Sequence, residues 1–178
     1  LRGIWGDNER YVEQYWSRWP EVYFAGDGAK YDHEGHIWLL GRVDDVMNVS
    51  GHRISTAEVE SALVSHAAVA EAAVVGANDD TTGQAIVAFV ILREHADVSD
   101  HTVEDIRAHV GTEIGAIAKP KRVMVVKELP KTRSGKIMRR LLRDVAENRS
   151  LGDTSTLADP AVMALISDGL NGPSADDD

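Results

Sequence analysis

Cysteine is absent from the 178 residues of this sequence. Its absence excludes disulfide bonds, thiolate nucleophiles and cysteine-based metal sites. It also fits a reducing compartment, so we expect a cytoplasmic location. Long apolar runs are missing too, because no stretch approaches the roughly 18 residues that a membrane-spanning helix requires. We therefore expect no membrane partner.

A basic excess is missing as well. Lys and Arg number 19 against 29 Asp and Glu, which gives a formal net charge of −10. Nucleic-acid-binding proteins normally show the opposite balance, so we expect no nucleic-acid partner. The hydrophobic content of 43% is ample for a globular core. A chain of this length holds one domain, with or without appendages.

The aromatic residues are unevenly distributed, because every Trp and Tyr lies within residues 1–43. Two short apolar segments, 22–25 and 36–40, flank turn-forming residues 32–35 and predict a β-hairpin. A lone hairpin is marginal in water, so these aromatic side chains need another body to cover them. Leu1 is not an initiator methionine. We interpret residues 1–43 as the last β-hairpin segment of a large N-terminal domain that this chain does not contain.

Residues 44–150 show a compact alternation of helical and strand patterns. The predicted order is helix, strand, strand, helix, strand, helix, with strands at 69–76, 85–92 and 122–126 and helices that begin near Ser55, Thr102 and Ile137. This pattern indicates a small α+β domain with a three-stranded sheet core and flanking helices. We interpret residues 151–178 as a C-terminal tail, whose acidic end at 171–178 is predicted to be disordered.

The segment 130–136, Pro-Lys-Thr-Arg-Ser-Gly-Lys, is the most informative part of the chain. A rigid proline, several cations and a flexible glycine precede Lys136, and a basic helix is predicted to follow. Such a loop could carry one ammonium into a partner's pocket, or Lys136 could be a solvated cation. A P-loop is excluded, because GxxxxGK[ST] requires Gly at Pro130 and Ser or Thr at Ile137. A nucleic-acid module is disfavoured, because this segment lacks aromatic residues for base stacking.

Three segments in this order carry a resemblance to a known family: 23–29 (Tyr-Phe-Ala-Gly-Asp-Gly-Ala), 41–53 (Gly-Arg-Val-Asp-Asp-Val-Met-Asn-Val-Ser-Gly-His-Arg) and 129–143. They resemble the C-terminal part of AMP-forming acyl-CoA synthetases, in the adenylate-forming superfamily, and most closely the acetate–CoA ligases. The resemblance implies that acetate and MgATP form acetyl-adenylate and pyrophosphate, and that the thiol of CoA then displaces AMP. It also implies a small C-terminal lid domain that rotates between the two half-reactions.

The resemblance implies a set of ligands and partners. ATP, Mg²⁺ and CoA are the expected cofactors, and acetate, ATP and CoA are the expected small-molecule partners. The missing N-terminal domain is expected in cis, and a protein acetyltransferase or deacetylase is a further partner. Because the acyl pocket lies in that missing domain, a propionate-specific synthetase stays open, and so does a free-standing lid that binds without catalysis. We expect this chain alone to be inactive.

Roles toward ATP follow from the resemblance. Lys136 matches the family's adenylation lysine, where an ammonium offsets the repulsion between acetate and the α-phosphate, and it is also the expected site of acetylation. Asp27 would accept hydrogen bonds from the ribose hydroxyls. Arg42 would bind ribose or phosphate, and Arg53 phosphate. An ordinary turn aspartate and structural salt bridges are the alternative interpretations.

The resemblance also implies a hinge at Asp44 and a CoA tunnel lined by Ser50 and Gly51, next to His52. Gly51 lacks a Cβ and allows backbone to approach a pantetheine arm closely, although a tight turn before the next helix is the alternative. At Gly111 the family's CoA-contacting arginine is missing. Lys119, Lys121 and Arg122 are the neighbouring cations that could replace it.

A magnesium site is implied at the end of the first predicted helix in the 44–150 domain. Main-chain carbonyls of Val64, His66 and Val69 match the family's ligands, and oxygen is the donor that Mg²⁺ prefers. Because main-chain ligands leave little imprint on side-chain identity, a helix-capping role for His66 is the alternative. The hinge at Asp44 likewise depends on the resemblance alone.

Overall fold

The computed structural model describes residues 2–170. The chain divides into two compact units, Leu1–Asp44 and Asp45–Asp178. The predicted disordered end at 171–178 lies outside the described residues. In the described part of the chain, no helix combines the length and hydrophobicity needed to span a bilayer.

The first unit contains helix α1 (Asn8–Trp16) and a hairpin of strands β1 (Asp27–Tyr31) and β2 (Ile37–Arg42). Helix α1, which the sequence patterns did not predict, begins where the Asp7 carboxylate accepts a hydrogen bond from the main-chain N of Arg10 at 3.0 Å. A carboxylate in this position satisfies one of the free N–H groups of the first turn.

The predicted hairpin is present, but its first strand is not at 22–25. Asp32 forms the turn: its carboxylate accepts hydrogen bonds from the main-chain N of Glu34 and of His36, both at 2.9 Å. Antiparallel pairing extends outward from such a turn, so Tyr31 pairs with Ile37. Residues 22–25 are too far from the turn to pair with β2. The first strand of the hairpin is instead β1, which directly precedes the turn.

The hairpin exposes large apolar side chains. The exposed fractions are 75% for Tyr31, 62% for Ile37 and 76% for Leu39. Soluble domains rarely leave such contiguous apolar patches in water unless another surface covers them. That a further domain packs on this hairpin stays a prediction.

The second unit contains five strands in one sheet. They are β3 (Val46–Val49), β4 (His52–Ser55), β5 (Val69–Asp79), β6 (Gly83–Leu92) and β7 (Arg122–Val125). The order is β4-β3-β6-β5, and β7 pairs with β6 in parallel while the other pairs are antiparallel. The helices are α2 (Thr56–Ser65), α3 (Asp100–Glu113), α4 (Arg139–Ala146) and α5 (Ala161–Leu170).

Both faces of the β5–β6 hairpin are buried, and successive residues alternate between two cores. Val74 and Ala88 belong to one core, whose helical members come from α2 and α3. Val75 and Phe89 belong to the other, whose helical members come from α4 and α5. A strand covered on both sides reads as a continuous apolar run, and β5 and β6 have this composition. The sheet is therefore the middle of three layers.

The predicted α+β class and the three predicted strands are confirmed, but the sheet has five strands rather than three. The two extra strands form a hairpin at 46–55. The segment from residue 151, predicted as a tail, also joins the fold within the described residues, because Leu157, Val162 and Ile166 are each no more than 4% exposed in the α4–α5 core. Apolar residues spaced three to four apart in α5 supply that buried face.

Asp79 organises the turn between β5 and β6. One carboxylate oxygen accepts hydrogen bonds from the main-chain N of Thr81 and Thr82, at 3.1 and 2.9 Å, and from the Thr82 hydroxyl at 2.8 Å. The other contacts Lys121 Nζ. The Lys121 contact first, and then these donors, hold the pKa of the Asp79 carboxyl well below its ordinary value of 3.8.

This shift predicts an acid-sensitive contribution to stability. A carboxyl whose pKa is lowered by folding stabilises the native state above its unfolded pKa, and this contribution is lost as pH falls through the folded pKa. We expect the free energy of unfolding to decline as pH falls below 3.8. The Asp79→Asn variant should show a smaller decline than the parent when urea unfolding is measured at neutral and acidic pH. An identical pH dependence in both proteins would contradict the assignment.

Candidate functional site

The first unit brings together three residues that the sequence assigned to nucleotide binding and to the hinge. Arg42 Nη1 lies 3.5 Å from Asp27 Oδ1, and Arg42 Nη2 lies 2.9 Å from Asp44 Oδ2. Asp27 opens β1 opposite Arg42 in the hairpin register. The hydrogen bond to Asp44 is the main reason that the pKa of Arg42 is raised above its ordinary value.

Gly26 makes this arrangement possible. Its φ is +76°, and a Cβ at this position would lie 2.7 Å from Arg42 Nη2. The guanidinium lies across the glycine and also donates to the carbonyl of Ala25 at 2.8 Å. A larger residue would be strained in this backbone conformation and would displace the guanidinium. The absence of a side chain at Gly26 thus leaves space for the Arg42 guanidinium.

Ser50 and Gly51 form the two-residue turn between β3 and β4. Their φ angles are +49° and +82°, and Val49 pairs with His52 across the turn. Positive φ at both central residues is the type I′ geometry of tight hairpins. The predicted tight turn is therefore present, and Gly51 is required there for its backbone angle. Both residues are exposed, as is Arg53 on β4.

Lys136 lies at the end of a short hydrogen-bonded loop. The main-chain N of Gly135 donates to the carbonyl of Thr132 at 2.8 Å, and Thr132 N donates to the carbonyl of Lys136 at 2.8 Å. The Thr132 hydroxyl accepts from the main-chain N of Lys136 at 3.1 Å. Gly135 has a φ of +83°, which closes the turn at low cost. The loop is thus preorganised rather than open coil.

The side chain of Lys136 differs from those of Lys131 and Arg139, which flank the loop, and resembles that of Arg133, which is also exposed and forms no ion pair with a described residue. Lys131 Nζ pairs with Glu71 at 2.8 Å, and Arg139 pairs with Glu60 at 2.7 Å. Lys136 is exposed, and no described residue hydrogen bonds or ion-pairs with its Nζ. An ammonium in this state is available to an anionic ligand.

The lysine loop and the Ser50–Gly51 turn attach to opposite ends of β5. Glu71, near the start of β5, pairs with the stem of the lysine loop. At the other end, Ser50 N donates to the carbonyl of Thr82 in the β5–β6 turn at 2.8 Å. The eight steps from Glu71 to Asp79 span about 26 Å at the usual strand rise. One rigid hairpin therefore separates the two candidate functional loops.

At the end of α2, His66 occupies the C-cap position. Its ring Nδ1 accepts a hydrogen bond from Ala68 N at 3.2 Å, and its Nε2 lies 3.1 Å from Asp105 Oδ2. The main-chain N of His66 donates to the carbonyl of Leu63 at 3.1 Å, so His66 caps α2 through its main chain. Main-chain oxygens of Val64, His66 and Val69 are suitable Mg²⁺ donors, and the C-terminal end of a helix favours a cation. The donor chemistry of these main-chain oxygens suits the ion, although the His66 carbonyl already accepts a hydrogen bond from Val69 N at 3.1 Å. The magnesium site stays a prediction.

The cations near Gly111 are held by internal partners. A Cβ on Gly111 would lie 3.9 Å from Lys119 Cβ, so Lys119 is its direct neighbour. Lys119 Nζ pairs with Glu104 at 2.6 Å, Lys121 pairs with Asp79, and Arg122 donates to the carbonyl of Ala146 at 2.6 Å. Lys119 and Lys121 also line a cleft of about 320 Å³ beside the β5–β6 turn.

Comparison with known proteins finds a family match within the second unit. Residues 58–136 match the family described as AMP-binding enzyme C-terminal domain. The matched range of this domain ends at Lys136. Asp27, Arg42 and Asp44 precede it.

Relatives extend the likeness beyond the AMP-binding enzyme C-terminal domain. The acetyl-coenzyme A synthetase of Streptomyces avermitilis is 68% identical over 178 residues, which are 99% of this chain and 27% of that protein. The acetyl-coenzyme A synthetase of Streptomyces coelicolor is 70% identical over 166 residues, or 93% of this chain and 26% of that protein. The chain spans about a quarter of the length of these curated relatives and matches their C-terminal part.

A solved structure agrees with the sequence matches. The anthranilate CoA ligase AuaEII, in complex with anthranoyl-AMP, superposes with a TM-score of 0.70 at 35% identity. The superposition covers 82% of this chain and 28% of that one. The predicted likeness to an AMP-binding enzyme C-terminal domain is confirmed over residues 58–136, and the predicted α+β fold is confirmed.

The sequence patterns missed the ion pairs that flank Lys136. Glu60 and Arg139 lie 79 positions apart, and Glu71 and Lys131 lie 60 apart. No local spacing rule connects residues at such separations. The only available signal was the choice of arginine at the start of α4, since its planar donor fork matches a carboxylate.

Proposed function

We propose that the whole protein is an AMP-forming acetate–CoA ligase and that this chain supplies its C-terminal lid. The observation that supports this most directly is the exposed Lys136 ammonium, which is held on a hydrogen-bonded loop and has no internal partner among the described residues. The identity of 68% with an acetyl-coenzyme A synthetase favours acetate as the acyl substrate.

Lys136 acts in the first half-reaction. A carboxylate oxygen of acetate attacks the α-phosphorus of ATP, an oxygen–phosphorus bond forms, and the bond to the leaving pyrophosphate breaks. Both reactants are anions, so their repulsion raises the barrier. A preorganised ammonium between them offsets that charge in the transition state. The turn at Thr132 and Gly135 fixes the main chain of Lys136 before substrate arrives.

Asp27 and Arg42 bind the nucleotide in this proposal. The Asp27 carboxylate is about half exposed and can accept hydrogen bonds from both ribose hydroxyls. Arg42, which lies across Gly26, has donors available for ribose or phosphate oxygens. Arg53 on β4 supplies a second guanidinium for phosphate. Arg42 also bonds to Asp44, so nucleotide contacts and the proposed hinge share one side chain.

CoA approaches the other end of the lid domain in the second half-reaction. The thiol sulfur attacks the acetyl carbonyl carbon, and AMP leaves. Ser50 and Gly51 offer an exposed backbone turn to the pantetheine arm, and Lys119, next to Gly111, is the best-placed cation for the nucleotide end. Because the lysine loop and this turn lie at opposite ends of β5, the domain must rotate between half-reactions. The division between the two units directly after Asp44 supports a hinge there.

Magnesium has two places in this proposal. One ion enters with ATP as substrate. The other would be held by main-chain oxygens of Val64, His66 and Val69, where it would add positive charge at the C-terminal end of α2. This chain's residues supply only oxygen donors for it. Cytoplasmic location and acetylation of Lys136 by a protein acetyltransferase stay predictions.

The test uses the full-length protein with ATP, acetate and CoA. We expect AMP and pyrophosphate as products, and acetate-dependent exchange of labelled pyrophosphate into ATP when CoA is omitted. Release of ADP and phosphate would contradict the proposal. A higher kcat/KM for propionate than for acetate would assign the protein to the related propionate enzymes. The 178-residue chain assayed alone should catalyse neither half-reaction, and activity in it would refute the lid assignment.

A further inference from the structure

Two ion pairs anchor the stem of the Lys136 loop to the body of the second unit. On one side, Lys131 Nζ contacts Glu71 Oε2 of β5 at 2.8 Å. On the other, Arg139 opens α4 and donates to both carboxylate oxygens of Glu60 on α2, at 2.8 and 2.7 Å. Lys136 lies between these two anchors in sequence.

The Glu60–Arg139 contact is the more rigid of the two. Its side chains are only 15% and 26% exposed, so solvent screens the pair weakly. Arg139 Nε also donates to Glu60 Oε1, at 3.1 Å. Parallel donors from one guanidinium fix both distance and orientation. Glu60 Oε1 in turn accepts a hydrogen bond from the main-chain N of Val74 in β5, at 2.8 Å. One carboxylate therefore ties α2, β5 and the beginning of α4 together.

The main chain between the anchors adds further constraints. Met138 N donates to the carbonyl of Pro130 at 2.8 Å, and Lys131 and Ile137 form a β-bridge. Ala158 N donates to the carbonyl of Lys131 at 2.9 Å. Leu129, at the base of the stem, is fully buried. The loop therefore has a fixed base, and only its tip is free.

We propose that Glu60 and Arg139 are positioning residues for Lys136, a role that rests on the proposed function above. They touch no reacting atom. They hold the base of the lysine loop so that the ammonium reaches the anionic reactants in a defined geometry, with the Lys131–Glu71 pair as a weaker second anchor. Misplacing a catalytic group by about 1 Å can cost on the order of 100-fold in rate. Loss of the pair should therefore slow adenylation far more than it lowers substrate affinity.

The test compares the Glu60→Gln and Arg139→Gln variants and their combination in the full-length protein. Glutamine at position 60 keeps an oxygen for Val74 N but removes the charge that orients Arg139. We expect each single variant to lower the kcat of acetyl-adenylate formation by about 10- to 100-fold, with KM for ATP and acetate within about 3-fold of the parent. The double variant should be no worse than either single variant, because both remove the same contact. Arg139→Lys should recover part of the rate.

One further assay and one control variant separate positioning from a general loss of structure. In the Glu60 and Arg139 variants, the rate of thioester formation from supplied acetyl-adenylate should stay within about 3-fold of the parent rate. The matched control variant is Arg149→Gln. Arg149 follows the far end of α4 and pairs with Asp144 and Glu147, so its loss should leave both half-reactions unchanged. Parallel losses in both half-reactions, or a full adenylation rate in folded Glu60→Gln protein, would overturn the inference.

The Lys136→Ala variant distinguishes failure of this inference from failure of the proposed function. If Lys136→Ala loses adenylation while Glu60→Gln retains it, only the positioning role is wrong. If Lys136→Ala retains adenylation, the proposed role of the lysine is itself wrong, and the anchors have no catalytic group to position.

Discussion

Replacing Lys136 with alanine in the full-length protein is expected to slow acetyl-adenylate formation by about 100- to 1000-fold, the usual effect of deleting one preorganised charge stabiliser. The thioester half-reaction, started from supplied acetyl-adenylate, should proceed at nearly the parent rate. The difference arises because the proposed ammonium acts where two anions meet, whereas we propose that CoA approaches the other end of β5. Pyrophosphate exchange measures the first half-reaction, and release of AMP on addition of CoA measures the second.

Arg133→Ala is the matched control for this experiment. Arg133 is an exposed cation of the same loop, and its loss removes a similar charge without removing the assigned one. We expect only a small change in adenylation. Equal losses in Lys136→Ala and Arg133→Ala would show that general positive charge, rather than one placed ammonium, accelerates the reaction.

Acetylation of Lys136 should reproduce the loss in Lys136→Ala, because it removes the positive charge while leaving the main chain intact. The exposure of the side chain makes it accessible to a modifying enzyme. Quantitatively acetylated protein, checked by intact mass, should lose pyrophosphate exchange and recover it on deacetylation. Retained exchange in fully acetylated protein would contradict both the regulatory prediction and the catalytic one.

The second large effect is expected on stability. Leu142 in α4 is fully buried in the core shared with α5. Truncating it to alanine removes buried methyl groups and leaves a cavity, which typically costs about 2–5 kcal/mol. Urea unfolding of this chain should show that loss in Leu142→Ala as a lower transition midpoint. Because α4 starts at Arg139, this core also supports the anchor of the lysine loop.

Leu165→Ala is the control, because it makes the same truncation at a side chain that is 59% exposed. Surface substitutions away from special features usually change stability by no more than about 0.5 kcal/mol. Similar losses in the two variants would mean that Leu142 does not lie in a close-packed core. The comparison therefore tests the predicted packing of α4 independently of any enzymatic activity.

Strong periodicity made several elements predictable. The helical pattern that begins near Ser55 predicted α2, whose Val59, Ala62 and Leu63 are buried, and the apolar runs of β5 and β6 predicted the central strands. The hairpin at 46–55 was missed because β3 and β4 are short and alternate poorly, although the Ser50–Gly51 pair between them was recognised as a possible turn. The strand at 27–31 was missed for another reason: it contains Gly28 and Lys30, which have low strand propensity, and the geometry of the turn imposed the pairing.

In the candidate site, too, features set by local sequence could be predicted, whereas contacts between distant residues could not. Lys136 could be singled out from the sequence because its local loop chemistry is distinctive, whereas the contact of Gly26 with the Arg42 guanidinium was not predicted. The clustering of Asp27 with Arg42 could not be derived from spacing, because it depends on hairpin register. The Glu60–Arg139 anchor was out of reach for the same physical reason, since long-range contacts are products of the complete fold.

The two-sided burial of β5 has a consequence for folding accuracy. In a sheet with one solvent-exposed face, a register shift of one residue would move apolar side chains into water. The free-energy cost of that exposure favours the correct register. In β5 the side chains on both faces are apolar and buried, so a shift of register by one residue exposes no apolar face to water. Alignment must come instead from matching small against bulky neighbours and from the short connection where Asp79 gathers three donors. The Asp79 carboxylate therefore fixes the register of β5 against β6. Its loss should increase the amount of mispaired, aggregation-prone protein during refolding.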